Sequence, residues 1–194
     1  IDLGISRYVI KKISEDKSQA GIYLGNFLIV QVFLSLVIFV IFMVLPKLLN
    51  YEPVIVGAMS LAGLGLFIGS LSIPFSSVIQ ARQKIQIVAG INFLNSLIHA
   101  GWLVLAMFLG KGLVFMFWFY AIYATVDIIL YIFFTKAFAF LQFKIRKDII
   151  KSMALLGIPF MLISGFEILV AKIDIIIQKF FLPFSEVGLY STAY

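Results

Sequence analysis

Residues 152–194 read SMALLGIPFMLISGFEILVAKIDIIIQKFFLPFSEVGLYSTAY. The first thirty or so are apolar for long enough to cross a bilayer, which takes about 20 residues of helix. Yet the run holds Glu167, Lys172 and Asp174. Charge inside a spanning helix is costly, and a chain that keeps it has a water-filled path or a partner for it. Glu167 and Asp174 stand seven residues apart and so share a helical face, with Gln178 one turn beyond and Lys172 well round the helix. Pro159 falls near the start, where a first-turn proline is tolerated; a buried kink is the alternative. The span ends in the turn Pro183-Phe184-Ser185-Glu186, and a new segment opens at Val187.

Working outward, the same character fills the chain. It is 63% hydrophobic and 12% charged over 194 residues, whereas a soluble domain is about 45–50% apolar and about 25% charged. The fold class is therefore all-α, a polytopic bundle of transmembrane helices. The absence of cysteine excludes disulfides, thiolate metal sites and a cysteine nucleophile. The net charge of +6 invites a nucleic-acid reading. The cations lie in loops between apolar runs, however, and the excess of Lys and Arg on cytoplasmic loops explains them without nucleic acid. Because the chain opens on Ile1 and stops just inside a new apolar run, we expect it to be an internal part of a longer membrane protein.

Taken in order, Ile1–Ala20 becomes basic at Arg7, Lys11, Lys12 and Lys17, and reads as the end of a span followed by a loop, or as an interfacial amphipathic helix. Spans are expected at Ile22–Leu45, ended by Pro46, and at Val54–Ile79, kinked or ended by Pro74. Gly65 and Gly69, with Ala58 and Ala62, have the small-xxx-small spacing that lets helix backbones approach. Further spans are expected at Ile85–Leu109, Leu113–Thr135 and 152–181, with the tight turn Gly110-Lys111-Gly112 between the first two. Lys136–Lys151 carries Phe138, Leu141, Ile145 and Ile149 on one stripe and lysines on another, the pattern of an amphipathic helix lying on an anionic leaflet. The basic loops 5–21, 80–86 and 136–151 hold eleven Lys and Arg residues against two, Lys47 and Lys111, on the opposite side. The first set is thus expected to be cytoplasmic.

Two further groups of polar residues stand inside spans. Asn92, Asn95, Ser96 and His99 recur at helical spacing and form one stripe, either lining a path or bonding a neighbouring helix. Tyr120, Tyr123, Asp127 and Tyr131 share another face. Asp127 is either a functional carboxylate or a structural one bonded to tyrosine. His99 has no second ligand at useful spacing, so no metal site is expected. The cluster Phe115, Phe117, Trp118, Phe119 and Tyr120 reads as an interfacial anchor. No nucleophile–base pair or phosphate-binding glycine loop stands out, and an enzyme is not expected.

Several stretches then resemble a known family. Gly157-Ile158-Pro159, Lys172-Ile173-Asp174 and Val187-Gly188-Leu189-Tyr190-Ser191-Thr192-Ala193-Tyr194 resemble the "G-x-P", "R-x-D" and "V-G-x-Y-S-x-A-Y" segments of the polysaccharide-biosynthesis flippases, with Lys172 in place of the common arginine. These belong to the multidrug/oligosaccharidyl-lipid/polysaccharide exporter superfamily. Asp2-Leu3-Gly4-Ile5-Ser6-Arg7 and Gln80-Ala81-Arg82 resemble two cytoplasmic motifs of the same family. The resemblance implies a MATE-like transporter lobe. Residues 1–135 would be part of an N-terminal lobe (end of helix 2 to helix 6), 136–151 a cytoplasmic connector, and 152–194 the start of a C-terminal lobe. It implies a multi-pass protein of the cytoplasmic membrane that flips polyprenyl-pyrophosphate-linked oligosaccharide by alternating access. Membrane lipids and other polysaccharide-assembly proteins would be its partners. No cofactor is implied, though coupling to H+ or Na+ through Asp127, Glu167 or His99 would fit. The transport-path candidates are Asn92, Asn95, His99, Tyr120, Tyr123, Asp127, Glu167, Lys172 and Asp174, with Asp127 and Glu167 expected to face one cavity. A drug/cation antiporter of the same superfamily, and more distantly a membrane-embedded polysaccharide polymerase, are the alternatives.

Overall fold

The computed structural model describes residues 4–110, 113–142, 144–182 and 184–193. The Lys111-Gly112 part of one turn, Pro183, and the outermost residues of the opening and closing motifs (1–3 and 194) lie outside the described residues. Every regular element described is helical: α1 (Ile5–Glu15), a short 3-10 turn (Lys17–Gln19), α2 (Ala20–Leu48), α3 (Pro53–Ser70), α4 (Ser72–Ala81), α5 (Ile85–Phe108), α6 (Leu113–Thr135), α7 (Lys147–Phe181) and α8 (Phe184–Ala193).

Among the described residues, four segments are long and apolar enough to cross a membrane: Lys17–Leu48, Pro53–Ala81, Ile85–Phe108 and Val114–Thr135. Their outward faces carry large apolar side chains such as Phe33, Leu36, Phe93 and Phe133. In hydrocarbon such a surface is satisfied, and the helical form lets the backbone bond internally. The fifth expected span lies within α7, which runs unbroken for 35 residues from Lys147 and passes through Pro159.

Proline shapes two of the spans in different ways. Helix α2 does not end at Pro46 as expected but carries it inside and closes at Leu48. The closing turn is made by the Tyr51 N–H donating to the Pro46 carbonyl and the Asn50 N–H donating to that of Lys47, with Asn50 at φ 52°. That is a Schellman-type end, with asparagine in the left-handed position. Pro74 does interrupt its span. It lacks an N–H and its ring crowds the carbonyl four residues earlier, Ser70. The helix accordingly breaks at Leu71 into α3 and α4.

The opening segment forms the amphipathic alternative. Ile5, Val9 and Ile13, four residues apart, are buried on one face of α1 against a core that includes Phe27, Val78, Ile79 and Met153. Between α3 and α6 the small-residue spacing operates as expected. A Cβ on Gly65 would lie 2.6 Å from the Tyr120 Cβ and 2.8 Å from its carbonyl carbon, whereas one on Gly69 would meet the Ala124 Cβ at 3.5 Å.

The connector departs from its expected form. Described residues 139–146 are not helical, and helix begins only at Lys147. Backbone groups that a helix would bond internally are taken elsewhere. Buried Asn26 of α2 donates its Nδ2 to the Lys144 carbonyl (2.9 Å) and accepts from the Arg146 N–H (2.9 Å). The Gln142 N–H donates to the Gly21 carbonyl. Arg82 donates to the carbonyls of Phe138 (2.8 Å) and Lys17 (3.2 Å). The strap lies so close to α2 that a Cβ on Gly21 would fall on the Phe140 carbonyl oxygen. One guanidinium thus gathers all three basic segments at one end of the bundle, the arrangement their charge asymmetry requires if that end is cytoplasmic.

Candidate functional site

Where α3, α4, α5 and α6 meet, polar side chains line two cavities. The larger, about 490 Å³, is walled by Ser70, Ser72, Ser76, Ser77 and Gln80 from the α3–α4 region and by Asn92, Tyr120, Tyr123, Asp127 and Tyr131 from α5 and α6. The second, about 330 Å³, is lined by Asn92, Asn95, Ser96, His99, Phe119, Tyr120 and Tyr123. Asn92, Tyr120 and Tyr123 belong to both, so the cavities share a wall.

The wall is held by one short bond. Asn95, 2% exposed, donates its Nδ2 to Oδ1 of Asp127, 6% exposed, at 2.5 Å. Asp127 is therefore bonded to an amide rather than to the tyrosines one turn away. The Asn95 Oδ1 is buried with no hydrogen-bond partner among the described residues. Tyr131 reaches Asn92 Oδ1 at 3.4 Å. Several serines bond nearby backbone carbonyls, as Ser72 does with that of Gly69 across the α3–α4 break and Ser77 with that of Ile73 on its own helix. Such back-bonding spends the hydroxyl proton and leaves oxygen lone pairs to accept from elsewhere.

Aromatic rings back the smaller cavity. His99 stacks on Phe119 with centroids 4.8 Å apart and planes 15° apart, and Trp102 stacks on Phe115 at 4.9 Å and 15°. Phe119 contacts Tyr123 at 5.5 Å. The aromatic cluster expected to anchor the interface thus divides. Phe115 and Phe119 turn inward, while Trp118 is exposed. The Trp102 indole N–H is buried without a hydrogen-bond partner among the described residues.

Of the nine path candidates, six line these cavities: Asn92, Asn95, His99, Tyr120, Tyr123 and Asp127. Glu167, Lys172 and Asp174 line neither. Glu167 is exposed on α7, so the expected pairing of Asp127 and Glu167 across one cavity is not found. Among the described residues, helix α7 packs against α1, α2 and α8. Asp174 instead accepts from the Tyr190 hydroxyl of α8 at 2.6 Å, and its other oxygen and Gln178 Oε1 are buried acceptors without hydrogen-bond partners among the described residues. The serine wall around Pro74 was missed in the sequence. Its signal was the bunching of Ser70, Ser72, Ser76, Ser77 and Gln80 about one proline. Among the described residues no group of three His, Cys, Asp or Glu side chains could hold a metal.

Membrane-spanning helices enclosing a polar, aromatic-backed cavity define a polytopic helical membrane protein. A family model described as polysaccharide biosynthesis protein matches residues 1–194. The chain belongs to that family. No curated protein and no solved structure matches it.

Proposed function

We propose that the chain is part of a flippase that carries polyprenyl-pyrophosphate-linked oligosaccharide across the cytoplasmic membrane by alternating access. The observation that supports this best is the pair of adjoining cavities joined at Asn95–Asp127 inside an apolar bundle. A glycan headgroup needs a polar path through about 30 Å of hydrocarbon. Serine, asparagine and tyrosine groups at that depth replace its hydration, and the stacked rings offer flat apolar faces to sugar C–H surfaces. Membership of a polysaccharide-biosynthesis family is consistent with this reading. In this reading the chain acts as a transporter and not an enzyme, and Asp127 carries the proton or sodium ion that couples transport.

A buried carboxylate beside aromatic rings also favours a cationic substrate, which keeps the drug/cation antiporter as a second reading. Deleting the full-length gene in its host separates the two. Lipid-linked oligosaccharide accumulating on the cytoplasmic leaflet, with loss of surface glycan, supports the flippase. Normal glycan with new sensitivity to cationic drugs supports the antiporter.

A further inference from the structure

A third cavity, about 450 Å³, shares no residue with the two polar ones. It lies on the other side of α4 and is lined by Leu24, Phe75, Ile132 and Thr135 together with Lys136 and the strap residues Ala139, Phe140 and Leu141. Its polar content is spent or peripheral. Thr135 is buried and donates to the Phe75 carbonyl at 3.3 Å, and Lys136 is exposed just beyond the end of α6. Water in a cavity needs two to four polar partners, and apolar cavities stay dry. Hydrocarbon suits this one.

The electrostatics of that end of the bundle identify the rest of the occupant. Its acidic groups are consumed internally. Glu15 pairs with Lys12, Asp148 with Arg146, and Asp16 accepts from Ser18 and Gln19. Lys17, Lys84, Lys136, Lys144, Lys147 and Lys151 form no ion pair among the described residues. Arg82 and Asn26 hold the segments carrying them together. An apolar slot with a lysine at its rim, inside a field of unneutralised cations, complements an aliphatic chain that ends in an anion.

We propose that this groove is a lateral site for one anionic phospholipid. Its acyl chain lies against Leu24, Phe75, Ile132 and Phe140, and its phosphate rests on Lys136. The site is separate from the transport cavity and stands whether or not the flippase reading does.

Full-length protein reconstituted in vesicles of equal phosphatidylglycerol and phosphatidylcholine, then extracted and weighed with its retained lipid by native mass spectrometry, tests this. Phosphatidylglycerol is expected to be retained about five-fold over its bulk share, one lysine near a membrane surface being worth roughly that factor. Lys136→Gln is expected to abolish the enrichment and Lys136→Arg to keep it. Lys47→Gln, at the other end of α2, is expected to leave it unchanged. Retained lipid that mirrors the bulk, or enrichment indifferent to Lys136→Gln, would overturn the site. Displacement of phosphatidylglycerol by equimolar polyprenyl phosphate would overturn the occupant, assigning the groove to the carrier lipid.

Discussion

Asn95 and Asp127 face each other across the α5–α6 interface, one amide hydrogen to one carboxyl oxygen, Asn95 lining the smaller polar cavity and Asp127 the larger. The pair both fastens two helices and presents a titratable group to the interior, and these two roles respond differently to mutation.

Asn95→Ala removes the amide hydrogen bond to Asp127 across the α5–α6 interface, leaving the Ser72 hydroxyl as its neighbouring partner. Hydrogen bonds to charged groups contribute about 1.5–3 kcal/mol, and neutral ones about 1. A loss of about 1–3 kcal/mol in detergent unfolding is therefore expected. Asp127→Asn keeps an amide of the same shape and is expected to retain the fold while abolishing transport. Undiminished transport by that variant would remove Asp127 from the mechanism.

The α3–α6 contact gives a sharper pair. Gly65→Ala places a methyl into the Tyr120 backbone, which cannot swing aside as a side chain would, whereas Gly69→Ala meets the Ala124 methyl at ordinary contact distance. Gly65→Ala should part the helices and displace Tyr120 from the cavity wall, lowering both melting temperature and transport. Gly69→Ala should change the melting temperature by no more than a degree or two. Equal effects would show that the interface yields as a whole.

Asn26 bonds the Ile22 and Lys144 carbonyls and the Arg146 N–H. Asn26→Leu strips two of these partners from the strap, and each unmet buried group costs about 1–3 kcal/mol. Trypsin reads the outcome directly, since Lys144, Arg146 and Lys147 lie in or beside the strap. Cleavage there is expected to rise at least ten-fold relative to cleavage at Lys84. An unchanged digest would mean that Arg82 and the Gln142–Gly21 bond suffice to hold the strap.

Three surface carboxyls set a pH dependence for this end of the bundle. The Lys12 hydrogen bond holds Glu15 below its ordinary 4.5, and bonds from Ser18 and Gln19 hold Asp16 below its ordinary 3.8. The Arg146 hydrogen bond likewise depresses Asp148. A carboxyl depressed in the folded state stabilises it above the unfolded pKa and loses that contribution as pH falls through the folded value. These contacts should therefore be intact at neutral pH and lost only below the ordinary carboxylate range. The Ser18 amide, which bonds Asp16 Oδ1, reports this by NMR. Its shift should titrate with an apparent pKa below 3.8 and disappear as a titration in Asp16→Ala. All three groups are exposed, so the effect on global stability should be slight.

The spans were legible because hydrophobic runs bounded by Pro46–Pro53, Arg82–Lys84 and Lys136 leave little choice of boundary. The break at Leu71 was legible through Pro74, and the Asn92–His99 and Tyr120–Tyr131 stripes through their helical spacing. The strap was not. Phe138, Leu141, Ile145 and Ile149 repeat like a helix face, but tertiary hydrogen bonds from Asn26, Gly21 and Arg82 outbid the local ladder. The partner of Asp127 and the position of Glu167 were beyond reach for a related reason. A charge in an apolar run announces a need, while its fulfilment depends on which helices become neighbours.

Asn26 also sets a schedule. The strap groups it holds follow it by 118 and 120 residues in the chain. At roughly 5–20 residues per second, a ribosome takes some 6–24 s to cover that distance. Throughout that interval the newborn α2 carries an amide whose lasting partners have not yet been made. The strap thus closes a latch whose first half, on α2, was synthesised 118 to 120 residues earlier.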